Sequence, residues 1–128
     1  MTDKRSHGVK EFQIYHNPRC SKSRAALALL EANGVIPEII CYLDTPLSKA
    51  GIKNLLRKLA VGIRDILRRN EPAYTELGLN DAALSEDAIL NLLVSHPVLL
   101  ERPIVARGAR AVVGRPPETI LQLLDVHS

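Results

Sequence analysis

The chain has 128 residues, 46% of them hydrophobic and 24% charged, a balance that fits one globular domain whose core needs no disulfide support. Its net charge of +3 is mild, but 11 of the 17 basic residues are arginine, the side chain suited to two-pronged contact with oxyanions. The only aromatics are Phe12, Tyr15, Tyr42 and Tyr74, which leaves the core to Leu, Ile, Val and Ala. That scarcity argues against a nucleic-acid partner, because single-strand readers stack bases on aromatic platforms.

Residues 1–10 are polar and charged and read as a flexible tail, neither a signal peptide nor a membrane anchor. No apolar run approaches the roughly 20 residues of a membrane helix. The expectation is a cytoplasmic protein without membrane contact, in which thiols stay reduced and a cysteine is more often catalytic than structural.

FQIYH, from Phe12 to His16, is a short strand of β-formers stopped by the turn signal Asn17-Pro18. Ala25, Leu27, Ala28 and Leu30 predict a helix from Ser21 to Asn33, closed by Asn33-Gly34. VIPEIICYL predicts a second strand, so that about 35 residues make a β-α-β unit with parallel strands. The stretch from Ser48 to Val94 is mostly helical. Ile52, Leu55, Leu56 and Leu59 keep the spacing of a buried stripe, and a shorter helix is predicted around Ile63 to Arg69, followed by a loop through EPAY. Ser85 reads as an N-cap, with Glu86 and Asp87 in the first turn, before a helix that ends at His96-Pro97. PIVA and AVV predict a hairpin turning at Gly108, and Pro117 starts a last helix. The order β-α-β, helical insert, β-β-α is that of an α/β, thioredoxin-like fold: a mixed four-stranded sheet with helices on both faces. The expected organisation is a single domain over 11–128, with an all-helical insertion at about 48–97.

HNPRCSKSR places Cys20 where a strand gives way to a helix. The unpaired N–H groups of a first helical turn and the positive end of the dipole both favour a thiolate, and Arg19, Lys22 and Arg24 add positive charge. Three residues on stands Ser23, so the pattern is C-x-x-S and a local dithiol is excluded. Six residues on stands Ala26, where the phosphatase signature needs arginine. Cys41, in apolar IICYL, reads as a buried structural cysteine, so a second thiol is expected from outside. His16 either supports the thiolate or makes a structural hydrogen bond at the strand end. His7, His96 and His127 have no metal-ligand spacing with either cysteine, so no metal is expected.

YHNPRCSKSR, YLDTP, LLRKL with GIRDILRRNEPAYTELGL, HPVLLERPIV and GRPPE, in that order, resemble the ArsC-type arsenate reductases coupled to glutathione and glutaredoxin, in the YfgD-like branch of that family. The resemblance runs from about Phe12 to Leu124. It implies that Cys20 is the catalytic cysteine, with His16 and Ser23 as supporting residues. It also implies that Arg68, Arg102 and Arg115 bind the anion, with Arg69 an adjacent alternative to Arg68, and that Pro103 is the cis proline of thioredoxin-like folds. In the implied chemistry Cys20 attacks arsenate, glutathione attacks the resulting ester, and glutaredoxin reduces the glutathione adduct as arsenite leaves. No tightly bound cofactor is implied, and a monomer is expected. The residues after the cysteine, Ser21-Lys22, depart from the Gly-Thr type of pair in the best-known reductases. Two other readings stay open: a glutathione-dependent thiol oxidoreductase with another substrate, and a Spx-like regulator that binds RNA polymerase.

Overall fold

The structure, a computed structural model, describes residues 10–124. The tail expected over residues 1–10 lies almost wholly outside them. The chain divides into two compact units, one made of residues 1–41 and 102–128 and the other of Tyr42–Glu101.

The first unit carries a four-stranded sheet in the order β2-β1-β3-β4. Strand β1 (Phe12–Tyr15) pairs parallel with β2 (Glu38–Ile40) and antiparallel with β3 (Ile104–Arg107), which pairs antiparallel with β4 (Arg110–Val113). This is the mixed sheet of a thioredoxin-like fold. Side chains alternate along β1, so Phe12, Ile14 and then His16 fall on one buried face. Helix α1 (Ser21–Ala32) buries Ser23, Ala26 and Leu30, a stripe at helical spacing. Phe12, Ile14, Ala26 and Leu30 join Val105, Ile120 and Leu123 in one core cluster. The helix stops as its sequence predicts: Gly34 takes a positive φ of 79°, and the N–H groups of Gly34 and Val35 close on the carbonyls of Glu31 and Leu30, each at 3.0 Å. Gly108, at φ 60°, turns the hairpin between Arg107 and Arg110. Pro117 begins a 3-10 turn (Pro117–Ile120) that leads into a short terminal α-helix.

Strand β2 is only three residues long, shorter than VIPEIICYL predicts, and Cys41 lies one residue beyond it. That cysteine is half-buried rather than buried.

The second unit is helical. Helix α2 (Lys49–Leu59) is capped by the Ser48 side chain, which accepts the Gly51 N–H at 3.0 Å. Helix α3 (Pro72–Glu76) occupies the stretch read as a loop. Pro72 sits at its first turn, where a missing N–H costs nothing. Helix α4 (Glu86–Ser95) has Ser85 as N-cap, accepting the Ala88 N–H at 3.1 Å, and packs against α2. The helix expected from Ile63 to Arg69 is a 3-10 turn (Ile63–Ile66) followed by extended backbone. Leu67 there bridges Leu100, while Arg68 N–H donates to Leu99 O and Glu101 N–H to Ile66 O, each at 2.8 Å. Pairing with a distant segment overrides the local helical propensity of IRDILRR. Among the described residues, no helix is long and apolar enough to cross a membrane.

Candidate active site

Cys20 is the N-cap of α1, with extended backbone at φ −96° and ψ 123°, and is half-buried. A tight turn delivers it, with Cys20 N–H donating to Asn17 O at 3.0 Å and Arg19 N–H to Asn17 Oδ1 at 3.0 Å. Its side chain makes no ordinary cap hydrogen bond, yet the first-turn N–H groups still act on the sulfur. Burial pushes the Cys20 thiol up. The backbone N–H groups of Ser23 and Lys22, the charge of Arg102 and a hydrogen bond from Arg102 outweigh that effect, and the net result lies below the ordinary thiol range. The side-chain cation acting on the sulfur is therefore Arg102, from the far end of the sequence; Arg19, Lys22 and Arg24 are exposed.

His16 and Ser23 meet where the two buried stripes of the unit reach the same end. His16 Nδ1 lies 2.7 Å from Ser23 Oγ, and that oxygen also accepts the Asn17 N–H at 3.0 Å. Both side chains are buried. Burial, helped by the charge of Arg24, holds the imidazole pKa below its ordinary value, so His16 is neutral at neutral pH. Of the two roles open to His16, the structure favours the hydrogen-bonded one. A neutral ring supplies no counter-charge to the thiolate.

Arg102 precedes Pro103 across a cis peptide bond, as the resemblance implies, and Arg115-Pro116 is a second cis bond. Arg115 Nη1 donates to Arg102 O at 3.3 Å, so these two candidate anion-binding arginines are neighbours. Gly114 makes that approach possible. Its N–H donates to Pro103 O at 2.8 Å, and a Cβ there would stand 3.0 Å from Pro103 Cγ.

Cys20, His16, Ser23, Arg102 and Arg115 thus form one cluster in the first unit. Arg68 belongs to the second, where Nη1 pairs with Glu71 Oε2 at 2.9 Å and donates to Val98 O at 3.3 Å. Arg68 is half-buried and Arg69 is exposed. Among the described residues, no group of three or more His, Cys, Asp or Glu side chains is placed to hold a metal ion. Two contributors escape a reading of the sequence. Gly114 is flagged there only by being the one small residue in VVGRPP. Arg24, whose Nη1 donates to Pro18 O at 2.8 Å, reads in the sequence as a cation flanking Cys20, with no sign that it bonds the turn backbone.

The comparisons agree with this architecture. The chain is 47% identical over 117 residues to the uncharacterized protein YfgD of Escherichia coli K12, covering 91% of this chain and 98% of that one. It is 48% identical to an arsenate reductase of Neisseria meningitidis serogroup B, covering 91% of this chain and all of that one. The solved structure of an arsenate reductase from Vibrio cholerae superimposes with a TM-score of 0.86 at 45% identity, over 90% of this chain and 98% of that one. The model of the ArsC family matches residues 15–123, and the chain belongs to that family.

Proposed function

We propose that the protein is an arsenate reductase that works in the cytoplasm as a monomer, with glutathione and glutaredoxin as external reductants. The observation that carries this reading is the thiol of Cys20, held below the ordinary range by two helix N–H groups and by Arg102. The names of the relatives supply the substrate. Arsenate docks against Arg102 and Arg115, whose guanidinium groups suit two-pronged contact with an oxyanion.

Cys20 thiolate attacks arsenic, a sulfur–arsenic bond forms, and one arsenate oxygen leaves as water after protonation. Glutathione thiolate then displaces a second oxygen, so that arsenic carries both sulfurs. A glutaredoxin thiolate attacks the glutathione sulfur, and the electron pair of the glutathione–arsenic bond stays on arsenic, which becomes As(III). The two electrons come from two thiols, which leave as a glutathione–glutaredoxin disulfide. Water releases arsenite and regenerates Cys20. Ser23 and neutral His16 keep the cysteine loop in place, and no tightly bound cofactor takes part.

The test is arsenate-dependent NADPH consumption, coupled through glutathione, glutaredoxin and glutathione reductase. Turnover is expected in the parent and a loss of at least about a thousandfold in Cys20→Ser. A parent without arsenate turnover, despite a Cys20 that alkylates readily at neutral pH, overturns the substrate and leaves a thiol oxidoreductase. Retained turnover in Cys20→Ser overturns the mechanism.

A further inference from the structure

Arg24 stands four residues after Cys20, and its N–H makes the first α-helical bond of α1, to Cys20 O at 3.0 Å. A cation here is repelled by the positive end of the helix dipole, and a long exposed side chain gains little by ordering itself. Its geometry nevertheless serves the turn. Side chains on a helix lean back over the preceding turn, which directs Arg24 toward the segment from Asn17 to Cys20. There Nη1 donates to Pro18 O at 2.8 Å.

That bond complements the one made by the preceding residue. Ser23 Oγ takes the Asn17 N–H on the buried side. Arg24 takes the Pro18 carbonyl on the exposed side. Pro18 has no N–H of its own, so its carbonyl is the only backbone hydrogen-bonding group by which this residue can be tied down. Consecutive residues of the first helical turn therefore grip the turn from two sides, and that turn ends at the reactive thiol. The other charged groups around it have other positions: Arg102 acts on the sulfur itself, while Arg19 and Lys22 are exposed. His16, held neutral partly by Arg24, faces Ser23.

We propose that Arg24 is a positioning residue for Cys20, bracing the Asn17–Cys20 turn through the Pro18 carbonyl so that the thiol stays over the helix N-terminus. The inference rests on Cys20 being the nucleophile, but not on arsenate being its substrate.

The test is the rate of Cys20 alkylation by iodoacetamide against pH, in a Cys41→Ser background where Cys20 is the only cysteine. Arg24→Ala is expected to move the midpoint upward, toward the roughly 8.5 of a free thiol. It is also expected to lower kcat about three- to tenfold while KM changes little, as loss of orientation without loss of binding would. Arg24→Gln, which keeps a neutral donor, should fall between Ala and the parent. An Arg24→Ala profile superimposable on the parent's overturns the brace, even if its Tm is lower. So does a Gln variant no better than Ala beside a Lys variant equal to the parent, since charge alone would then suffice. Should the Ala variant fail to fold, the Gln and Lys variants carry the comparison. A parent that alkylates normally but does not turn over arsenate removes the substrate reading and leaves this one standing.

Discussion

The sheet-bearing unit and the helical unit are built from the same material, Leu, Ile and Ala with few aromatics, yet they finish their apolar stripes differently. In the first, the strand face Phe12–Ile14 and the helix face Leu30–Ala26 both run into polar residues, His16 and Ser23, which pair at 2.7 Å beside Cys20. In the second, Ile52, Leu55, Ile89 and Leu93 form an apolar core, and the charged link between α2 and α4, Lys49 to Asp87 at 3.2 Å, lies on the surface. A stripe that ends in a satisfied polar pair gives up hydrophobic burial there and gains a fixed loop. The helical unit keeps the burial.

The largest expected effect lies in the helical core. Ile89 is fully buried, and Ile89→Ala should cost about 2–5 kcal/mol in urea unfolding through lost burial and the cavity left behind. A cost below about 1 kcal/mol would mean that the helical core is loosely packed, and the contrast between the units would weaken. In the sheet-bearing unit the corresponding break is chemical. Arg102→Ala should lower turnover about ten- to a hundredfold and raise the alkylation midpoint of Cys20, because both the charge and the hydrogen bond on the sulfur are lost. An unchanged midpoint would leave the thiol to the helix N-terminus alone.

The two units also differ in how legible they were. Local signals gave the capped helices: Ser85 with Glu86 and Asp87, and Asn33-Gly34 at the end of α1, each encode an end within a few residues. The misses in the helical unit come from two sources. EPAY reads as a loop because proline is a breaker inside a helix, yet at a first turn it fits. Ile63–Arg69 reads as a helix because nothing local announces that Leu67 will bridge Leu100. In the candidate site, Cys20 follows from chemistry and His16 with Ser23 from motif. Their pairing is deducible only once a period of two in the strand and of 3.6 in the helix are carried to the same end. The approach of Gly114 to Pro103 and the bond from Arg24 to Pro18 O depend on three-dimensional closeness that leaves no pattern in the residues.

Ser23→Ala tests the polar end directly. It leaves Asn17 N–H and His16 Nδ1 without their shared partner, at about 1–3 kcal/mol, somewhat less than the cavity at Ile89. The pH dependence of stability reports on the same pair. Folding lowers the His16 pKa, so the unfolded chain binds the proton that the native state resists. Native stability should therefore fall as the pH drops below about 6.5, and His16→Asn should flatten that fall. Unfolding free energies at mildly alkaline and mildly acidic pH, compared between parent and variant, check the sign; an unflattened profile would assign the acid sensitivity elsewhere.

The smallest effects come from how the two main helices stop, and here the units should respond with opposite signs. Helix α1 ends with Gly34 at φ 79°, and nothing lies within 4 Å of where a Cβ would stand, so Gly34→Ala meets no steric neighbour. Its cost is conformational alone, about 1 kcal/mol for placing an L side chain in the left-handed region. Helix α2 ends on Ala60 at φ 59°, already in that region, with its N–H on the carbonyls of Leu56 and Arg57. There Ala60→Gly relieves the strain that Gly34→Ala would introduce. Part of the gain is offset by the extra freedom of glycine in the unfolded chain, leaving a net stabilisation of about 0.5 kcal/mol. Chemical unfolding of both variants reads the pair. If Ala60→Gly destabilised instead, the methyl of Ala60 would be contributing more through packing than the left-handed backbone costs, and α2 would end on a contact rather than on a conformation.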